Sequence, residues 1–382
     1  MKSQSISRPA MSGDSLQAFA SVPTRESRVE TEAGLRVAPF QGAHLEQVLQ
    51  LYAQVFGPAA ASAYAARRAW QREQHPLYES CPEWVLTDNG TVRGFLSTVA
   101  APYQIAGRRI IAHTPCDYMV APEYRFHGIR LMQTFFRTCP NTISCDDMPP
   151  TIKVTRWLGA KYVGSFYRYV KVLDARAIGS SRGWNQAVWP LLYLGNAPLR
   201  WQERQRRTAG GPAVQVVRTF DERFQSFFDR QAGSMRASLA KDVAFLNWRY
   251  GAGSPHAGRE IGVVTEAGEL AGYVIFCGST RGHTGYILDL RVQEREAAEV
   301  SRALLEFAAE RLRQQGAWSV RFYQLGGRAP AMEELLTATG FMRRGWHQLL
   351  VRLSEARLEA WATRGENWDL AYGDCEASFS AR

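Results

Sequence analysis

The 382-residue chain lacks several things whose absence narrows its function. No window approaches ~18 consecutive apolar residues, so no membrane-spanning helix is expected. The first thirty residues hold no sustained apolar run of signal-peptide length; their Ser, Pro and charged residues read as a flexible leader over 1–33, and a cytoplasmic location is the expectation. The six cysteines (Cys81, Cys116, Cys139, Cys145, Cys277, Cys375) form no CxxC pair and no Cys/His cluster with zinc-like spacing, which points to reduced thiols and no metal. A Ser/His/Asp signature and a P-loop are missing too.

Composition is that of a folded protein, 46% apolar and 21% charged, long enough for about two domains. The net charge of +10 is concentrated: between Pro150 and Arg218 twelve Lys or Arg face only Asp174 and Glu203, so the remainder is balanced. Such a band suits a solvated surface, a polyphosphate ligand, an anionic membrane or nucleic acid.

From Leu35 the hydrophobic pattern becomes legible. LRVAPF alternates as a strand, and His44–Phe56 and Ala59–Gln74 carry helical spacing. Residues 84–122 supply three or four strands, with Asp88-Asn89-Gly90 as a hairpin turn. A helix, the strand TISCDDM, a helix through Trp157 and a strand pair in KYVGSFYRYVKVLD complete a unit over 34–174. Residues 175–212 form a basic, Trp-rich connector suited to packing between domains or to peripheral membrane contact. From Val214 the same order of elements recurs to about residue 355, with the hairpin REIGVVTEAGELAGYVIFCGST, the strand TGYILDLRV and the helix Ala297–Gln315, before a tail over 356–382. The fold class is therefore α/β (α+β): two tandem units, each a mixed, mostly antiparallel sheet flanked by helices.

Between the strand IIAHTPCDYMV and its following helix stands VAPEYRFHGIR. A Gly at a helix start exposes backbone N–H groups which, with the helix dipole, can bind a pyrophosphate. Pro122 ends the strand and Arg125 can add a charge-assisted contact. Ile129, Met132 and Phe136 share an apolar face, with Arg130, Thr134 and Arg137 opposite.

These residues resemble the acyl-CoA-binding segment of the GNAT superfamily of N-acyltransferases, approximately V-x-P-x-x-R/Q-x-x-G-x-G/A. Val120, Pro122, Arg125 and Gly128 match in type and spacing. LGAKYVG and TATGFMRRG sit where the family turns into its last strands, while the second unit lacks the R-x-x-G signal. FLNWRYGAGSP and WDLAYGDCEA resemble GNAT-like proteins associated with bacterial polysaccharide gene clusters. The resemblance implies an acyl-CoA N-acyltransferase, with acetyl-CoA as co-substrate held by Val120, Arg125, His127, Gly128, Ile129 and Arg130. It places the family's base on or near the strand bearing His113, Asp117 and Tyr118. Two departures stand out: Arg130 replaces the second small residue of the turn, and counting back from Gly159 and Gly340 gives Thr155 and Leu336 where the family often has an acidic Tyr.

Asp146, Asp289 and Arg249 are the candidate acceptor-binding residues. Asp146 and Asp147 equally suit the cap of the helix after Pro149, and Arg249 suits an ion pair with Asp289. Cys277, with no local base, reads as a core thiol. The expected acceptor is a small-molecule or glycan amine, an amino sugar under the polysaccharide likeness. Nucleic acid is expected only as tRNA, under the alternative of a Fem-type aminoacyl transferase. A third alternative is a non-catalytic GNAT-like scaffold.

Overall fold

The computed structural model describes residues 34–181, 183, 211–231, 236–251, 253–256, 258–279, 282–293, 297–326 and 330–380. The first half opens with β1 (Leu35–Pro39), α1 (Leu45–Phe56) and α2 (Pro58–Gln74). β2 (Trp84–Asp88), β3 (Thr91–Ile105) and β4 (Arg108–Val120) follow as a meander. Its first turn has Asn89 at φ 47° and Gly90 at φ 82°, the paired left-handed conformation that twists with the strands. A 3-10 helix (Pro122–His127) leads into α3 (Ile129–Thr138), β5 (Thr142–Asp146), α4 (Pro149–Trp157), β6 (Lys161–Val172) and α5 (Ala175–Ser181).

The second half comprises β7 (Gln215–Val217), α6 (Glu222–Gln231), β8 (Ala237–Leu239), α7 (Val243–Tyr250), β9 (Glu260–Glu266), β10 (Glu269–Gly278), β11 (Thr284–Val292), α8 (Ala297–Gln314), β12 (Ser319–Leu325), α9 (Pro330–Ala338) and β13 (Phe341–Arg352). Then come α10 (Ala356–Ala362), β14 (Trp368–Asp369) and the 3-10 turns Tyr372–Asp374 and Glu376–Ser380. Most of the connector and the leader lie outside the described residues. The segment read as a tail is an ordered part of the core: Trp368 is fully buried, and its indole N–H donates to Ala362 O at 2.6 Å.

Among the described residues one sheet runs β1-β2-β3-β4-β5-β13-β6-β12-β11-β10-β9-β7, with β8 bridging β3 and β14. The halves are joined by strand exchange. β13, the last strand of the second half, lies between β5 and β6 of the first; β6 in turn pairs with β12. KYVGSFYRYVKVLD is thus one strand, β6, and not the expected pair, because β13 supplies its neighbour. Burial follows the exchange: one apolar cluster combines Val99 and Phe166 with Tyr273 and Trp368.

Helix α3 sits on the opposite face of the first sheet half, burying Leu131, Met132, Phe135 and Phe136 against Leu86, Leu96 and Leu350. Each such side chain contributes roughly 1.5–3 kcal/mol through removal from water. Met132 and Phe136 of the expected face are buried, with Phe135 on its shoulder and Leu131 beside them, while Ile129 stays half-buried.

Candidate active site

β4 and β5 are parallel neighbours at a single register pair, His113 opposite Thr142. The Thr114 hydroxyl donates to Ile143 O at 2.7 Å and closes the crotch. Beyond it β4 pairs only with β3 and β5 only with β13, so the strands form a fork with helix α3 at its mouth. The second half repeats this: β11 and β12 pair from Thr284–Tyr286 to Ser319–Arg321 and then part. Both fork strands carry a bulge, between Phe95 and Ser97 facing β4 and between Ile275 and Phe276 facing β11. The β4 bulge puts Asp117 at φ 49°, a left-handed backbone that a sheet tolerates only where its ladder is broken.

Asp117 has both carboxylate oxygens engaged. Oδ1 is ion-paired with Arg67 of α2, and Oδ2 accepts from the Ser97 hydroxyl at 2.9 Å. Burial opposes the Arg67 charge, but Asp117 outweighs it and the guanidinium pKa is raised. The Arg67 Nε is buried with no hydrogen-bond partner. His113, at the crotch, directs Nε2 to Ser80 O at 2.9 Å, away from Asp117's partners. Tyr118 is packed with the α3 cluster, and burial raises its hydroxyl pKa to about 12.

The turn differs from a wholly open cradle. Gly128 is at φ −55°, an ordinary helical value, so the residue is glycine because of crowding. A Cβ there would stand 2.5 Å from the Tyr118 hydroxyl and 2.9 Å from Val120 Cγ2. Part of the N–H supply is used internally: Gly128 N–H donates to Arg125 O (3.4 Å) and Leu131 N–H to Gly128 O (3.0 Å). The anion-binding character that fits a pyrophosphate rests on the first turn of α3 and on Arg125, which stands exposed over the Phe126 ring at 4.8 Å. His127 leans on Tyr124, and Val120 and Ile129 are half-buried beside the turn. Arg130 instead donates from Nη1 to Leu35 O at 3.4 Å, tying α3 to β1.

At the second fork a cleft of about 560 Å³ is lined by Arg230, Arg236, Leu290, Phe322, Tyr323 and Tyr372 among others. Asp289 stands at its floor, fully buried, bound by Lys241 (2.6 Å), the Tyr273 hydroxyl (2.8 Å) and Arg291 Nε (3.2 Å). Asp374 shares both cations, at 2.6 Å to Lys241 and 3.3 Å to Arg291. Burial works against Asp289's charge, but Lys241 and Arg291 prevail and hold its pKa below the usual carboxylate range.

A family profile described as an acetyltransferase (GNAT) domain matches residues 36–144, from β1 through the first fork. Residues 36–144 thus match the GNAT acetyltransferase domain. Solved GNAT structures share the fold. A GCN5-related N-acetyltransferase from Anabaena variabilis superposes with TM-score 0.55 at 15% identity, over 85% of this chain and 74% of that one. A tandem GNAT protein of the clavulanic acid biosynthesis pathway gives 0.51 at 14%, covering 84% and 99%. N-myristoyltransferase of Saccharomyces cerevisiae, with bound myristoyl-CoA, gives 0.50 at 10%, covering 86% and 85%. No curated protein matches the chain in sequence.

Within this tandem GNAT fold the expected acceptor-side residues separate. Asp146 Oδ1 accepts from Met148 N–H at 2.8 Å, an Asx turn that starts α4, and burial raises its pKa. The expected Arg249–Asp289 pair is not formed. Arg249 binds the C-terminal segment, donating to Gly373 O (2.9 Å), Cys375 O (3.0 Å), the Ser378 hydroxyl (3.1 Å) and Glu376 Oε1 (3.2 Å), because α7 faces that segment and Lys241 already occupies Asp289. The same segment thereby touches both forks: Leu370–Tyr372 line the second cleft, and Phe379 packs under Arg67 of the first (5.8 Å). Cys277 is buried, its thiol pushed up to about 12 by burial. Sequence reasoning missed Arg67, Ser97, Lys241, Arg291, Asp374 and Glu376. Only the WDLAYGDCEA likeness marked any of that neighbourhood, since partners such as Ser97–Asp117, Lys241–Asp289 and Arg249–Glu376, separated by 20, 48 and 127 residues, leave no local pattern. Among the described residues no group of three or more His, Cys, Asp or Glu is arranged to hold a metal, and no helix is long and apolar enough to cross a membrane.

Proposed function

We propose that the protein is an acyl-CoA-dependent N-acyltransferase working at the first fork, with acetyl-CoA as acyl donor and an amine acceptor. The observation that carries this is the parting of β4 and β5 after one register pair, with the α3 N-terminus and Arg125 at the mouth and a bulged strand behind. The open strand edges can accept the amide-bearing arm of CoA, while the helix start and Arg125 favour its phosphates. Val120, His127, Gly128 and Ile129 shape this turn; Arg130 stabilises it from behind. The second fork, with its cleft over Asp289, is the proposed acceptor-shaping half, and an amino sugar is the proposed acceptor class.

The tRNA-dependent alternative has less support. Of the basic band within the described residues, Lys171 is buried and Arg168 is spent on Arg344 O at 2.8 Å. Isothermal calorimetry with acetyl-CoA, followed by thiol release in the presence of glucosamine, tests the proposal. Binding heat that disappears in Arg125→Glu supports it; no heat and no thermal stabilisation at saturating acetyl-CoA overturns it.

A further inference from the structure

Beside the first fork, in the WDLAYGDCEA stretch, stands a carboxylate to which the sequence assigned no role. Glu376 lies in the final 3-10 turn, its side chain 13% exposed. Arg249 holds Oε1 at 3.2 Å, whereas Oε2 is buried and has no hydrogen-bond partner. Arg249 comes from α7, and the same C-terminal turn packs Phe379 5.8 Å from Arg67 of α2, the ion-pair partner of Asp117 in the β4 bulge. Asp117 has neither oxygen open to an acceptor, since Arg67 and Ser97 occupy both. His113 is turned to Ser80 O.

We propose that Glu376, carried to the first fork by the C-terminal segment and aimed by Arg249, is the general base for the acceptor amine. This rests on the acyltransferase reading above. The free Oε2 takes one proton from the acceptor ammonium. The nitrogen lone pair then forms the N–C bond at the thioester carbonyl and the C–S bond breaks. A second amine proton goes to the departing thiolate, and the proton on Glu376 returns to solvent. Burial raises the Glu376 pKa, countered in part by Arg249 and Arg67, which brings it nearer the working range of a base.

The test uses the full chain with acetyl-CoA, and with glucosamine, spermidine or water as nucleophile, following thiol release from pH 4 to 9. Glu376→Gln is expected to lower kcat about 100-fold or more, to keep the acetyl-CoA Kd within twofold, and to abolish the acid limb of the pH profile. Glu376→Asp is expected to recover part of the rate, and Asp117→Asn to keep the acid limb. A Glu376→Gln rate within threefold of the parent, or an acid limb that vanishes in Asp117→Asn instead, overturns the proposal. So does a parent chain that binds acetyl-CoA yet releases no thiol with any of the three nucleophiles. Absence of acetyl-CoA heat in the parent overturns the underlying reading of the fork itself.

Discussion

The Tyr118 hydroxyl occupies the space that a side chain at position 128 would need: a Cβ on Gly128 would meet it at 2.5 Å. The glycine of the turn is therefore demanded by packing between β4 and α3, whatever ligand the turn holds. Gly128→Ala should destabilise the protein by about 1–3 kcal/mol through overpacking. Tyr118→Phe in the same chain should restore part of that loss, leaving Val120 Cγ2 as the residual clash. Thermal melts of the two single variants and the double variant measure the coupling.

Arg125 and Arg130 stand five residues apart and should respond oppositely. Arg125→Ala removes an exposed cation beside the α3 start, and the acetyl-CoA Kd should rise about tenfold at low salt, less at high salt. Arg130→Ala removes a tether to Leu35 O, so it should leave Kd within twofold and lower Tm. Calorimetry and melting of both variants decide this.

The buried cluster under the second cleft is vulnerable at its shared cation. Lys241 binds Asp289 and Asp374, each at 2.6 Å. Lys241→Met would leave two buried carboxylates with Arg291 as their shared cation, and should cost about 3–5 kcal/mol in urea unfolding.

His75 predicts the pH dependence of stability. Its ring accepts from Leu77 N–H at 2.8 Å and packs 4.2 Å from Trp248. Burial, then the Arg249 charge, lowers its pKa from 6.5 to about 4. A depressed His pKa means that the unfolded chain binds the proton first. Stability should fall as pH drops from 6.5 to about 4, by about 3 kcal/mol in all at 1.36 kcal/mol per unit, and level off below. In His75→Asn that slope should disappear from the unfolding free energy measured across this window.

Much of the fold was legible because its signals are local. The Asn89–Gly90 turn needs two left-handed residues, α8 repeats its apolar residues at helical spacing, and β4–turn–α3 has the residue types its geometry demands. The candidate site was legible only along β4. Asp117 could be placed on the fork strand, but its engagement by Arg67 and Ser97 spans 50 and 20 residues. The Arg249–Asp289 expectation joined two residues of suitable charge. It failed because α7 turns Arg249 toward Gly373–Ser378.

The amino-acid sequence by itself determined the two-fold recurrence of elements, the superfamily resemblance and the turn Val120–Gly128, since periodicity, turn chemistry and spacing are short-range properties. Tertiary structure alone decided which strands pair, because the partners β6 and β13 stand about 180 residues apart and no local pattern names a strand's neighbour. It also decided the chemistry at the fork. A carboxylate's availability depends on which cations and hydroxyls reach it through space, and that leaves Asp117 saturated and Glu376 with one free oxygen.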